Sequence, residues 1–302
     1  MFKGILRLIV SAITAITAIF TPASAQPTAP LVNINPNPIK QEILAQDLTV
    51  MSYNLKCSGE GKYSQESRKD AVCTLINKYS PDSLGVQEAD INWVGLLTAT
   101  LTDYANVGTY RDDGIKEGES NNIFYKKDKY VLVDSGDFWL SKTPDVPSKD
   151  WDSACYRICT YAILKDKETG FVYAHFNTHF DHVSDVAKAE SVALISAKIA
   201  EIAPDIPVVL TGDFNFKETV EHYDNILSCG FQNTKYLAEE YDLGATYNGY
   251  KFIRFEINPI DHIFVNGYIK SVKSSTIDKS RFNRMYPSDH FPVIVEMTMF
   301  NG

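Results

Sequence analysis

Apolar and polar positions alternate along the chain with two periods, and the switches between them delimit the expected elements. Residues 48–53 read as a strand. Residues 68–79 place Val72, Leu75, Ile76 and Tyr79 on one helical stripe. Pro81-Asp82 breaks that helix, residues 83–87 predict the next strand, and residues 91–101 predict a second helix. β-rich runs follow at 122–125, 130–140, 158–165 and 171–177. Residues 186–203 predict a long amphipathic helix, 207–211 a buried strand, and 219–228 a helix closed by Gly230. Strands return at 262–265, 269–276 and 293–299. Long helices mixed with hairpins predict an α/β or α+β layer fold, with sheets covered by helices.

The N-terminus follows a different pattern. Lys3 and Arg7 precede an apolar run over residues 8–20, and Ala23-Ser24-Ala25 supplies a small-x-small cleavage site. The run is short for a membrane span. Residues 1–25 are therefore expected to be a signal peptide, with no stable membrane anchor and a secreted or periplasmic product. Residues 26–45, with Pro27, Pro30, Pro36 and Pro38, read as a linker, and residues 46–302 as one catalytic domain. The formal charge is −9; losing Lys3 and Arg7 with the signal leaves −11. An acidic chain disfavours sequence-blind binding to DNA, which depends on neutralising phosphates. It still allows a local site that holds one phosphate beside a cation. Cys57, Cys73, Cys155, Cys159 and Cys229 make an odd count with no CxxC spacing, so zinc is not expected and disulfide pairing stays open.

Candidate chemistry gathers where the expected strands end: Asn54, Gln87-Glu88, Asn177-Thr178-His179 running on to Asp181-His182, Gly212-Asp213-Phe214-Asn215, Asp261, and Ser288-Asp289-His290. A single Asp or Asn after a strand is ordinarily a turn residue. Six such groups with these side chains point to a site built on strand ends.

In this order the motifs Ser52-Tyr53-Asn54, Val86-Gln87-Glu88, Asn177-Thr178-His179, Gly212-Asp213-Phe214-Asn215, Ile260-Asp261 and Ser288-Asp289-His290 resemble the endonuclease/exonuclease/phosphatase superfamily, over about residues 48 to 298. Arg111-Asp112-Asp113-Gly114, Phe138-Trp139-Leu140-Ser141 and Trp151-Asp152 look like a bacterial branch whose members mostly lack an assigned substrate. His262 departs from that branch, which usually carries Tyr there. The resemblance implies a four-layer α/β sandwich, two packed mixed β-sheets flanked by helices, and hydrolysis of a phosphodiester or phosphomonoester by in-line attack of an activated water.

It also implies roles. Phosphoester cleavage gathers negative charge on phosphoryl oxygens, which a hard, oxygen-liganded cation can offset. Mg²⁺ is expected, with Mn²⁺ or Ca²⁺ as alternatives, held by Glu88 with Asn54 and Asp289. Asp213 is the expected general base and Asn215 orients a phosphate oxygen or the attacking water. His179 and His290 donate to phosphoryl oxygens; the resemblance pairs Asp261 with His290 and Glu119 with His179. Arg111 and Arg157 are candidate phosphate clamps, because a guanidinium matches phosphate in fork geometry, and His182 is a candidate substrate contact. The expected partner is a phosphate ester, with nucleic acid or a lipid headgroup as alternatives. A secreted deoxyribonuclease and a sphingomyelinase- or phospholipase-C-like enzyme are the competing enzymatic readings, and a non-catalytic binding protein the competing class. Oligomeric state is left open.

Overall fold

The structure is a computed structural model that describes residues 43–252 and 257–301. The expected signal peptide and most of the expected linker, residues 26–42, lie outside the described residues. The end of the linker assignment needs correction. The Leu44 amide donates to Asn301 Oδ1 at 2.5 Å and Ala45 opens the first strand, so the folded domain begins inside the segment read as linker.

The chain runs β1 (Ala45–Asn54), α1 (Gln65–Tyr79), β2 (Ser83–Gln87), α2 (Ile91–Thr100), β3 (Tyr104–Val107), β4 (Ile123–Lys126), β5 (Tyr130–Trp139), β6 (Ile158–Asp166), β7 (Val172–His179) and α3 (Asp185–Ile202). It continues with β8 (Val208–Asp213), α4 (Glu221–Ser228), β9 (Gln232–Asn233), α5 (Thr234–Leu237), β10 (Ala238–Tyr241), β11 (Asp261–Val265), β12 (Ile269–Ile277) and β13 (Val293–Phe300). The short elements β3, β9, α5 and β10 are the additions to the sequence reading; pieces this short carry too few residues to show a period. The main helices start where their caps dictate. Ser64, Asp90 and Ser184 each accept a backbone N–H from the first turn of α1, α2 and α3.

One sheet has the order β10-β12-β13-β1-β2-β4-β3 and the other β5-β6-β7-β8-β11-β9. Three apolar clusters define the layers. Met51, Tyr53, Leu84 and Val86 pack under Val72, Ile76, Trp93 and Leu97 of α1 and α2. Phe176, Leu210 and Phe264 pack under Val192, Ile195 and Ile226 of α3 and α4. Between the sheets lie Leu48, Val50, Val295, Leu164, Tyr173, Val209 and Ile263. The result is helices, sheet, sheet, helices, as the resemblance implied.

Strand alternation then decides which residues meet. Positions 48, 50 and 52 of β1, 83, 85 and 87 of β2, 173, 175, 177 and 179 of β7, and 209, 211 and 213 of β8 share the parity that faces the other sheet. Towards the strand ends this inner row turns polar, closing on Asn54 in β1, Gln87 in β2, His179 in β7 and Asp213 in β8. The middle of the row is a buried hydrogen-bond network. Gln87 Nε2 and Thr211 Oγ1 both donate to Asn177 Oδ1, at 2.7 and 2.9 Å. Asn177 Nδ2 donates to the carbonyls of Val86 and Asn121. His175 sits between Ser83 Oγ and Thr211 Oγ1, both at 2.9 Å, and burial holds it far below the usual histidine range, at about 3. It is a neutral structural histidine. The network needs Gly85, because a Cβ there would lie 2.3 Å from Thr211 Oγ1.

His262 is likewise structural. It is buried among Phe214, Phe216, Tyr223 and Phe264, and its Nε2 meets the Phe216 carbonyl at 3.3 Å. All five cysteines are free thiols.

Asp278, just beyond β12, ties the end of α1 to the sheet. It accepts from Lys78 Nζ at 2.6 Å, the Tyr79 hydroxyl at 2.7 Å and the Ser280 amide at 2.7 Å. Burial opposes its charge, but the donations of Lys78, Ser280 and Tyr79 win and hold the carboxyl down to about 2. Because the folded value lies below the unfolded one, this contribution to stability is present above the unfolded value, near pH 4, and is lost as pH falls towards 2. Asp278→Asn should cost about 1 kcal/mol, roughly 2–4 °C in Tm, at pH 7. The gap between the melting curves of the two proteins should narrow as pH falls from 4 to 2; a gap of unchanged size at pH 2 would show that the effect is not carried by the carboxylate charge.

Candidate active site

Strand register brings the acids and imidazoles together. β7 and β8 are parallel with His179 opposite Asp213. β8 and β11 are antiparallel with Asp213 opposite Asp261. Across the sandwich, Asn54 ends β1 opposite Gln87 of β2, and Glu88 follows one residue later. Asp289 and His290 lie just before β13, the other neighbour of β1. These ends open into one pocket of about 450 Å³ lined by Glu88, Glu119, His179, His182, Asp213, Asn215, Asp289 and His290, together with Lys56, Cys57, Tyr247 and Ile260.

Inside it the contacts are short and directed. His290 Nδ1 donates to Asp261 Oδ2 at 2.8 Å, and its Nε2 lies 3.7 Å from Asp213 Oδ2. Burial works against the imidazolium, yet the two carboxylates outweigh it and push His290 well above the usual histidine range. Asp213 is pushed up, by burial and then by the charge of Asp261. Asn54 Nδ2 donates to both Glu88 Oε1 (3.1 Å) and Asp213 Oδ2 (3.0 Å), bridging the two sheets. Glu88 Oε2 takes the Cys57 amide at 3.1 Å. The Asn215 amide caps Asp213 Oδ1 at 3.0 Å, and its side chain meets His179 Nε2 at 3.1 Å. Glu88 and Asn215 both occupy the left-handed backbone region, at φ 54° and 50°. Asn tolerates this readily, whereas for Glu88 it costs on the order of 1 kcal/mol, a strain typical of functional positions.

Several expected site residues take other partners. Glu119 does not hold His179: its Oε2 is 3.9 Å from His179 Nδ1 but 2.6 Å from Arg111 Nη1. A fixed guanidinium outcompetes a neutral imidazole for the carboxylate. His179 is accordingly driven well below the ordinary histidine value by burial and by the nearby Arg157 and Arg111 charges, so it is a neutral ring. Arg111 and Arg157 do not line the pocket; they stand behind Glu119 and His182. Asn54 has its oxygen engaged by the Lys56 amide at 3.0 Å, so as placed it steers two carboxylates, and a ligand role would require its amide to turn over. Asp261 lies behind His290. Lys56, Cys57 and Tyr247 are not among the residues that the sequence singles out. Lys56 and Cys57 directly follow the Asn54 motif, a usable signal, whereas Tyr247 sits in a loop with none. Buried Arg68 is a further residue that sequence reasoning misses. It donates to the carbonyls of Leu55, Lys56, Cys57 and Pro287 and so fixes both loops that flank Glu88 and Asp289.

The pocket fits a hard divalent ion. Glu88, Asp289 and Glu119 present carboxylate oxygens in one small volume. Burial raises Asp289 and Glu119, and the charge of Glu88 adds to both. Crowded acids of this kind are relieved by a cation. Lys56 Nζ, 3.7 Å from Glu88 Oε2, offsets part of the charge. Glu88→Gln is expected to raise the metal concentration for half-maximal activity by at least about tenfold. An unchanged titration would remove Glu88 from the ligand set.

The model of the Endonuclease/Exonuclease/phosphatase family matches residues 51–290. Among solved structures, a mannosyl-6-phosphatase of Bacteroides thetaiotaomicron is 37% identical with a TM-score of 0.79, covering 83% of this chain and 99% of its own. A family protein of Bacteroides vulgatus is 34% identical with a TM-score of 0.81, covering 84% and 99%. An uncharacterized protein of Acanthamoeba polyphaga mimivirus is 25% identical over 249 residues, 77% of this chain and 92% of that one. Fold and pocket together define a sandwich hydrolase acting on phosphoesters. The chain belongs to the endonuclease/exonuclease/phosphatase family.

Proposed function

We propose that the protein is an exported, Mg²⁺-dependent phosphoesterase whose substrate is a small phosphomonoester, a phosphorylated sugar in the first instance. One observation carries the reading: Glu88, Asp213, His179, Asp289 and His290, from distant parts of the chain, line a single pocket. Its volume is that of a small-molecule site. The net charge of −9 argues against a polyanionic polymer as the preferred substrate, and the mannosyl-6-phosphatase makes a sugar phosphate the first choice.

A bound divalent ion would supply charge neutralisation at the phosphoryl oxygens, held by Glu88 and Asp289. Asp213 orients and deprotonates the attacking water. His290, kept cationic by Asp261, donates to a phosphoryl oxygen, and Asn215 with His179 directs the others. Export rests on the basic and apolar N-terminal pattern before Ala25; among the described residues no helix is long and apolar enough to cross a membrane.

The test is a panel of mannose 6-phosphate, p-nitrophenyl phosphate, bis-p-nitrophenyl phosphate, DNA and sphingomyelin vesicles, each with Mg²⁺ and with EDTA. Monoesters should be turned over best, and only with metal. Preferential cleavage of DNA or release of phosphocholine would replace this reading with a nuclease or a sphingomyelinase- or phospholipase-C-like enzyme.

A further inference from the structure

Arg157, expected from sequence as a phosphate clamp, is 5% exposed and is not among the residues that line the pocket. Its Nη2 instead contacts His182 Nδ1 at 3.1 Å. A guanidinium has donors only, so His182 Nδ1 must be the acceptor, and the ring proton of the neutral imidazole must sit on Nε2. His182 itself is exposed and lines the pocket.

The surrounding loops are built to hold this pair. Asp181, 1% exposed, accepts the amides of Ala154 and Cys155 on the loop that leads to Arg157, at 2.9 and 3.2 Å. Its other oxygen accepts the amides of Val183 and Ser184, at 3.0 and 2.9 Å, in the turn that carries His182. One carboxylate thus ties both segments together, with Arg157 Nε 3.7 Å away. Arg157 Nε and Nη1 have no hydrogen-bond partner among the described residues. Burying a guanidinium with so few partners is costly, and the bond that Arg157 does make is to a side chain facing the pocket.

We propose that Arg157 is a positioning residue that locks His182 in one orientation and one tautomer, making Nε2–H of His182 a fixed donor to an oxygen of the phosphorylated substrate. This rests on reading the pocket as a phosphoester site. Without the lock the ring can flip about its last torsion and put Cε1–H where Nε2–H stood, or take the other tautomer and present a bare Nε2. With it, donation from Arg157 into Nδ1 also polarises the ring and strengthens Nε2–H as a donor. Arg157 therefore acts on the substrate only through His182.

A double-mutant cycle and ¹⁵N NMR of the His182 ring test this on the full domain. On p-nitrophenyl phosphate and mannose 6-phosphate, Arg157→Met should lower kcat/KM by about tenfold, the scale of one hydrogen bond. In the His182→Ala background the same change should have no effect beyond about twofold, and Arg157→Lys, which keeps a cationic donor, should recover most of the loss. Additive losses would overturn the proposal, because Arg157 would then act directly or through folding alone. In mildly alkaline buffer the wild-type ring should show a hydrogen-bonded, unprotonated Nδ1 and a protonated Nε2, and the Nε2–H signal should move on addition of inorganic phosphate. A proton on Nδ1, or a signal indifferent to phosphate, would also overturn it. The NMR experiments need no turnover, so an inactive enzyme would count against the proposed function and leave the lock decided.

Discussion

Asp213→Asn is expected to lower kcat by at least about 10²-fold while leaving the fold in place. The asparagine keeps the size of the side chain and can still accept the Asn215 amide, now at 3.0 Å. What it lacks is a site for a proton. Asp213 is 2% exposed, stands between His179 Nε2 at 3.5 Å and His290 Nε2 at 3.7 Å, and is pushed up by burial and by Asp261. A carboxylate raised from its ordinary range is a better proton acceptor near neutrality than an exposed one. Steady-state rates on p-nitrophenyl phosphate, with melting temperature as the control, check the assignment. A variant within a few-fold of the parent rate would leave Asp213 without the role of base.

His290→Ala should produce a loss of the same order, at least about 10²-fold, by a different route. The imidazolium is the one cation of the pocket made by two buried acids, with Asp261 at 2.8 Å. Removing the ring leaves Asp261 buried and unpaired, so a stability cost of about 3–5 kcal/mol is expected as well. Asp261→Asn separates the two effects, since it keeps a polar group beside Nδ1 and removes only the charge. Asp261 is one reason that the folded value of His290 is raised. Without it the ring should lose its proton at lower pH, and activity should fall off earlier on the alkaline side. A pH profile of Asp261→Asn that overlays the parent would show that the imidazolium charge is not what the reaction uses.

Much of this site is legible in the amino-acid sequence. The β-type run at residues 48–53 and the short apolar run at 207–211 mark β1 and β8. Glu88, His179, Asp213, Asn215, Asp289 and His290 stand out as a group at strand ends and do line one pocket. The pairings among the remaining residues were not legible. Glu119, Arg111, Arg157 and His182 carry a role only in combination, which depends on which of them come within about 3 Å of each other, the reach of a hydrogen bond. Arg111 lies close enough to Glu119 to take it from His179. Arg157 contacts His182 and is not itself among the pocket-lining residues. Tyr247 enters the site from a loop whose sequence shows no period and no motif.

The order of polar and apolar residues by itself determined the longer strands, the parity that turns Asn54, His179 and Asp213 inward, and the chemical types available at the strand ends, because side-chain direction along a strand is a local property with a period of two. Tertiary structure alone decided the rest. The parallel register of β7 on β8 sets His179 beside Asp213, the packing of sheet on sheet brings Glu88 to within one asparagine of Asp213, and loop placement chooses the ion pairs. Those outcomes depend on distances between segments far apart in the chain, and no local pattern encodes such a distance.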